Sequence, residues 1–74
     1  MWRIRYSLQA GGLLRLARLQ AGMTQVGVAD AIGFNTSTNI SGYERGKRVP
    51  DLSTMIIILR ACGYQLAIVP LEDE

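Results

Sequence analysis

The stretch of residues 23–50, MTQVGVADAIGFNTSTNISGYERGKRVP, limits the possible folds of this chain more than any other part of it. Val28, Ala29 and Ile32 recur at the spacing of one helix face, and Gly33 follows them as a stop signal. A polar run then begins a second helical segment, and a basic loop closes the stretch. This pattern predicts two short helices joined by a tight turn.

The chain is short and rich in apolar residues. Its 74 residues make one domain, 49% of them are apolar, and a core this small is marginally stable without help such as oligomerisation. The longest apolar run, residues 55–59, is far too short to span a membrane, and no apolar segment of a signal peptide follows Arg3 and Arg5. We therefore expect a cytoplasmic protein without membrane contact.

Residue types that support catalysis or metal binding are scarce. Cys62 is the single cysteine and there is no histidine. The chain therefore has no disulfide framework and lacks the cysteine and histidine spacing of a zinc site. A buried, reduced thiol is the expected state of Cys62. Because no nucleophile, base and orienting group can be assembled, the sequence predicts no enzyme, no catalytic residue, no metal and no cofactor.

The charges are unevenly distributed along the chain. The net charge is +2, but three of the six acidic residues form the terminal segment 72–74. The rest of the chain therefore holds eight basic residues against three acidic ones. Such a basic surface indicates a polyanionic partner, although ordinary solubility would explain it equally well.

A first helix is predicted over residues 13–21, before the stretch 23–50. It follows a break or weak helix start at Gly11 and Gly12. Leu16 and Leu19 fall away from its main apolar face and call for a second contact. The residues on the predicted core face are Leu13, Leu14, Ala17 and Ala21.

A fourth helix is predicted over residues 52–62, with Asp51 as its N-cap and Gly63 as its left-handed terminator. Ile57 and Ala61 point away from the apolar stripe, so they form either an exposed patch or part of an interface. The stripe itself consists of Leu52, Met55, Ile56, Ile58, Leu59 and Cys62.

Alternating side chains at both ends of the chain predict short strands. Residues 2–6 fit a half-buried strand or a flexible basic arm, and residues 64–69 alternate until Pro70 stops them. A lone strand leaves backbone groups unpaired, so the second must pair with the first, with its copy in another subunit, or with both. These options favour or permit a two-fold dimer. The predicted dimer-interface residues are Ile57, Tyr64, Leu66 and Ile68.

Several motifs together resemble one known family, the Cro/C1-type (XRE) helix-turn-helix DNA-binding domains of phage repressors, bacterial regulators and antitoxins. The motifs are Arg18, GMTQ at 22–25, VADAIG at 28–33, ISGYERGKRVP at 40–50 and the closing Gly63. The resemblance implies a mainly α, lambda-repressor-like domain of four to five helices, with the strands at 2–6 and 64–69 forming an intersubunit sheet. Residues 1–74 would be one domain, with a helix-turn-helix core at 13–63, a dimerising strand at 64–70 and an acidic tail at 72–74.

The resemblance also implies roles for charged and polar residues around the two central helices. Arg18 and Glu44 would form an ion pair, which we interpret as part of the scaffold without a role in DNA reading. Gln25 would bind a DNA phosphate from the start of the second helix. The basic residues expected beside the other strand's backbone are Arg45, Lys47 and Arg48, for which a solvated loop is the alternative.

Base edges would be met by the front of the recognition helix, at Thr36, Ser37, Thr38 and Asn39. Asn39 is suited to adenine through its amide, whereas helix capping explains hydroxyl and amide side chains here equally well. The sequence departs from the family in two places. Ten residues rather than nine separate Gly33 from Glu44, and Gly42 replaces a long polar side chain. Both departures predict modest base readout.

The function implied is a sequence-specific, double-stranded DNA-binding transcriptional regulator, a homodimeric repressor in the cytoplasm and associated with the nucleoid. The ending GYQLAIVPLEDE resembles that of HipB-like antitoxins, which implies a cognate toxin as a further partner. A phage Cro-like repressor is the competing identity. The alternative from another class is a dimeric protein-interaction module, toxin-neutralising or adaptor, that uses Leu16, Leu19 and Ile57 and reads little DNA sequence.

Overall fold

A computed structural model describes residues 8–67 and 70–71. Within these residues the chain forms four helices, α1 (Leu8–Gln20), α2 (Gln25–Ala31), α3 (Thr38–Glu44) and α4 (Leu52–Ala61). Helices α1 and α2 each contact both α3 and α4. The prediction of a mainly α, small helix-turn-helix domain is confirmed.

The core lies where the four helices meet. Leu14, Val28 and Ile58 are its largest fully buried side chains, contributed by α1, α2 and α4. Two residues predicted for the core, Ala21 and Leu52, are exposed, and that prediction is wrong. Both lie at helix ends, where a helix face has no neighbour to bury it. The core residues are Ala10, Leu14, Ala17, Val28, Ala29, Ile40, Met55, Ile58, Leu59 and Cys62.

The prediction of a break or weak helix start at Gly11 and Gly12 is wrong, because α1 begins before these residues. The helix runs from Leu8 through Gly11 and Gly12 without interruption. A Cβ atom on Gly11 would lie 1.9 Å from the backbone oxygen of Tyr43, far inside van der Waals contact. Gly11 is therefore the point where α1 crosses close to the end of α3. At Gly12 no such neighbour lies within 4 Å.

The junction between α2 and α3 is built around Gly33, which has a φ of 80°. Its left-handed conformation turns the chain after α2, and the Phe34 N–H donates to the carbonyl of Ala29 at 2.9 Å. The helix after the glycine turn is predicted to begin in the polar run 35–39, and α3 begins inside that run, at Thr38. The earlier residues of that run form a longer approach to the helix, consistent with the extra residue in this segment.

Helix α4 begins and ends with the predicted signals. The side chain of Asp51 accepts a hydrogen bond from the backbone N–H of Thr54 at 2.7 Å. Hydrogen bonding with the side chain and then the backbone of Thr54 lowers the pKa of Asp51. The helix ends at Ala61, followed by Gly63 with positive φ. Cys62 packs into the core, and burial raises the pKa of its thiol, so the reactive thiolate is disfavoured.

The predicted terminal strands fall mostly beyond the described part of the chain. Residues 2–6 and residues 68–69 lie outside it, and residues 64–67 form no strand. A strand needs a pairing partner, and the proposed partner at residues 2–6 is not among the described residues. In the described ranges, none of the helices has the length and apolar character required to cross a bilayer.

Candidate nucleic-acid interface

One open groove lies between the start of α2, the exposed face of α3 and the loop that follows α3. Its volume is about 630 Å³ and it opens widely to solvent, so it suits a large ligand surface better than an enclosed small molecule. The residues that line the groove are Gln25, Ser37, Thr38, Ser41, Gly42, Arg45, Lys47 and Arg48.

The electrostatic character of this groove comes from its loop side. Arg45, Lys47 and Arg48 are all exposed and line it, and no acidic side chain is among its described lining residues. The nearest acid in sequence, Glu44, points away from solvent and pairs with Arg18. The groove therefore presents concentrated positive charge to a ligand.

The carboxylate of Glu44 joins three helices. Arg18 on α1 donates to it from two nitrogens, Nε to Oε2 at 2.7 Å and Nη2 to Oε1 at 2.9 Å. The remaining guanidinium nitrogen, Nη1, donates at 2.9 Å to the carbonyl of Met23, which lies two residues before α2. The Arg18 and Glu44 side chains are only 11% and 3% exposed, and their hydrogen bond raises the pKa of Arg18. This bidentate pair fixes the end of α3 against α1 and the entry to α2.

Gln25 joins the same network from the first residue of α2. Its Nε2 donates to Glu44 Oε1 at 3.3 Å, and its side chain also lines the groove. The amide nitrogen carries a second hydrogen that can donate to a ligand. Gln25 is thus held by one hydrogen bond while it borders the groove.

The four residues predicted to contact bases lie at the start of α3 and just before it, and the structure places them differently from one another. Ser37 and Thr38 line the groove. Thr36 lies before the helix, where its hydroxyl accepts from the Thr38 N–H at 3.2 Å. Asn39 is half-buried and accepts a hydrogen bond from Arg48 Nη1 through its Oδ1.

Three residues near this surface were not among the predicted site residues. Ser41 and Gly42 line the groove one turn after the predicted set, and helical periodicity from Ser37 and Thr38 would have indicated them. Arg15 Nε lies 4.0 Å from Glu44 Oε1. The signal for Arg15 was its position three residues before Arg18 on the same helix face.

The predicted dimer residues lie elsewhere on the chain. Ile57 is exposed on α4, and Tyr64 and Leu66 are exposed in the segment after it. Ile68 lies outside the described residues.

Two short helices joined across a glycine turn, with the second bordering an exposed basic groove, define a helix-turn-helix DNA-binding domain. A family model described as helix-turn-helix matches residues 14–69 of the chain. The chain belongs to this XRE-type helix-turn-helix family, whose members are DNA-binding transcriptional regulators and are generally not enzymes. Neither the curated proteins nor the solved structures gave a significant match to the chain.

Proposed function

We propose that this protein is a sequence-specific repressor that binds double-stranded DNA with α3 in the major groove. The observation that carries the proposal is the groove beside α3, which three exposed cationic side chains line and whose described lining residues include no acid. A DNA duplex is a polyanion of high charge density, and neutralising its phosphates is the main sequence-independent source of affinity. The family membership supports the same ligand.

Phosphate contacts on two sides of the groove would position the protein on the duplex. Gln25 borders the groove from α2, and Arg45 and Lys47 border it from the loop after α3. With α3 between them, these groups can reach the backbones on either side of the major groove. Base edges then meet the front of α3, where Ser37 and Thr38 line the groove and Thr36 and Asn39 lie beside them.

Homodimer formation would place two α3 helices in successive half-sites about 34 Å apart. The exposed apolar side chains of Ile57, Tyr64 and Leu66 support an interface at α4 and the segment after it, which Ile68 would extend. A dimer that covers two half-sites would block a promoter and repress its transcription. The protein would then be either the autoregulating antitoxin of a toxin pair or a Cro-like repressor.

A second function is favoured by a separate observation. Leu16 and Leu19 are exposed on α1, and Ile57 is exposed on α4. Large apolar side chains outside the core can mark a protein-binding surface. The alternative is therefore a dimeric interaction module, adaptor or toxin-neutralising, with little sequence-specific DNA reading.

The salt dependence of DNA binding tests the proposed function. Binding of the full chain to a labelled duplex, followed by fluorescence anisotropy, should weaken steeply between low and moderate salt. Lys47→Ala should weaken binding to every sequence and reduce the logarithmic salt slope by about one unit. Arg60→Ala is the matched control, because Arg60 is also exposed but lies on α4 and does not line the groove. Salt-independent binding, or equal effects of both variants, would argue against this use of the groove.

Oligomeric state and partner binding separate the two candidate functions. Truncation before Tyr64 should produce monomers in sedimentation experiments and reduce operator affinity. A truncated chain that remains dimeric would exclude the last segment as the interface. For the interaction module, Leu16→Asp should abolish capture of a partner protein in a pull-down while leaving dimers intact.

A further inference from the structure

The side chain of Arg48 crosses α3 at Gly42. A Cβ atom on Gly42 would lie 3.3 Å from Arg48 Cδ and 3.5 Å from its Cγ, so the arginine stem packs directly over the glycine. The loop is folded back to allow this contact, because the backbone N–H groups of Lys47 and Arg48 both donate to the Gly42 carbonyl, at 3.0 and 3.3 Å. Gly42 therefore accommodates a side chain that comes from outside the helix.

The guanidinium of Arg48 is directed toward the front of α3. Its Nη1 donates to Oδ1 of Asn39, which lies three residues before Gly42 and thus on the same side of the helix. In helix-turn-helix proteins the N-terminal part of the recognition helix contacts base edges. Although Arg48 comes from the loop after α3, the structure places its charge beside the residues that would meet bases.

The hydrogen bond between these two side chains fixes which groups they can offer to a base. A guanidinium has only donors, so the amide of Asn39 must present its oxygen to Arg48 and its NH₂ group elsewhere. The pair therefore presents donors from both side chains. Reading adenine with Asn39 requires its oxygen to accept from the adenine amino group, whereas Arg48 already uses one of the two lone pairs of that oxygen and turns the oxygen toward the guanidinium.

We infer that Arg48, carried over Gly42 and oriented by Asn39, reads a guanine in the major groove. Guanine presents two acceptors there, N7 and O6, which match the donors of a guanidinium fork, whereas adenine presents one acceptor and one donor. Arg48 thus determines specificity, in place of the phosphate contact that its position in the basic loop predicted. This inference rests on the proposed binding of DNA by α3.

Selection from a randomised duplex library with the full chain tests the inference. The wild-type protein should enrich a G·C pair at one position of each half-site. Arg48→Ala should reduce that preference by about tenfold and leave preferences at other positions unchanged. Arg48→Lys should retain the salt slope but lose most of the guanine preference, because an ammonium lacks the planar fork.

Two further variants test the geometry rather than the charge. Gly42→Ala places a methyl group against the Arg48 stem and should weaken the guanine preference, while alanine favours the helix and keeps the variant folded. Asn39→Ala removes the orienting acceptor and should have the same direction of effect. Lys47→Ala is the control on the same loop, and it should weaken binding to all sequences equally.

The outcomes distinguish the inference from the proposed function. Loss of guanine preference in both Arg48 variants, with binding to other duplexes retained, supports the inference. If Arg48→Ala instead behaves as Lys47→Ala does, Arg48 is a phosphate contact and the inference is wrong. Enrichment of adenine instead of guanine at the position that Arg48 controls would also overturn it. If the wild-type chain binds no duplex even at low salt, the proposed function itself fails.

Discussion

Helices α2 and α3 have the same length, seven residues, but different interactions hold them in place. At the start of α2, Thr24 accepts a hydrogen bond from the Gly27 N–H at 2.9 Å, and two residues of this helix are buried. Ser37 precedes α3, but its side chain accepts no capping hydrogen bond, and Ile40 is the only buried residue of this helix. Local sequence signals thus define α2, whereas contacts from α1 position α3.

This difference suits a helix that must present most of its surface to a ligand. A recognition helix cannot bury a broad apolar face, so its position has to come from a few strong contacts at its far end. In this chain those contacts are the Glu44 carboxylate, bound by Arg18, and the close approach of the Tyr43 carbonyl to Gly11. Both lie at the C-terminal end of α3, which leaves its front accessible.

Removal of the Glu44 carboxylate should have the largest effect on α3. Glu44→Ala leaves the largely buried Arg18 guanidinium without its anion, and we expect a loss of about 3 kcal/mol in the free energy of unfolding. Urea denaturation followed by circular dichroism measures this loss. Glu44→Gln keeps an acceptor of similar shape, so it should remain folded with a smaller loss.

Arg15 provides the matched control for the Glu44 variants. Its side chain is 63% exposed and its Nε lies 4.0 Å from the same carboxylate. Arg15→Ala should change the free energy of unfolding by less than about 0.5 kcal/mol, because exposed ion pairs contribute little. A loss as large as that of Glu44→Ala would show that proximity to Glu44, not burial, determines the effect.

Substitution of the two adjacent glycines of α1 should have opposite effects. Gly11→Ala drives a methyl group into the Tyr43 carbonyl, a backbone atom that only a shift of the helices can move, and should destabilise the fold by about 2 kcal/mol. Gly12→Ala meets no neighbour within 4 Å and should stabilise the fold by about 0.8 kcal/mol through helix propensity. Thermal denaturation of both variants compares them directly. Equal effects would mean that α1 does not depend on the close crossing.

Substitution of the residues that precede α2 and α3 tests how far each helix depends on a local cap. Thr24→Ala removes the hydroxyl that accepts from Gly27 and should cost about 1 kcal/mol of unfolding free energy. Ser37→Ala removes no capping hydrogen bond and should cost less than about 0.5 kcal/mol. Hydrogen exchange of the amides in the first turn of each helix locates the loss. If Ser37→Ala is the more costly change, α3 depends on its local sequence after all.

The difference between local signals and contacts from other helices also explains what could be predicted from the sequence. The helices, the cap at Asp51 and the glycine turn at Gly33 are local features, and they could be located from spacing and residue type alone. The role of Gly11 could not, because a glycine that breaks a helix and one that permits a close crossing look identical in a single sequence.

In the candidate site, the resemblance provided the partners Arg18 and Glu44, since that pair belongs to the scaffold of the family. It could not provide the position of Arg48, which depends on a loop that folds back over a glycine of α3. The start of α3 could be predicted only to within the polar run 35–39, and the helix begins at Thr38. Hydroxyl and amide side chains fill this run, the N-cap residue Ser37 makes no side-chain capping bond, and the extra residue lengthens the approach to the helix.

The smallest predicted effect concerns Asp51, the N-cap of α4. Its side chain caps α4 as that of Thr24 caps α2, but the capping group is a charged carboxylate. Its hydrogen bond with Thr54 lowers the pKa of the folded carboxyl, so as the pH falls the unfolded chain takes up the proton first. The stabilisation is therefore complete above the ordinary pKa of aspartate, about 3.9, and is lost as the pH falls through the lower folded value. Asp51→Asn retains the acceptor without the titration. The melting temperature of the wild type should exceed that of the variant at neutral pH, and the difference should shrink in acid. A constant difference down to about pH 2 would mean that the charge of Asp51 does not contribute to stability.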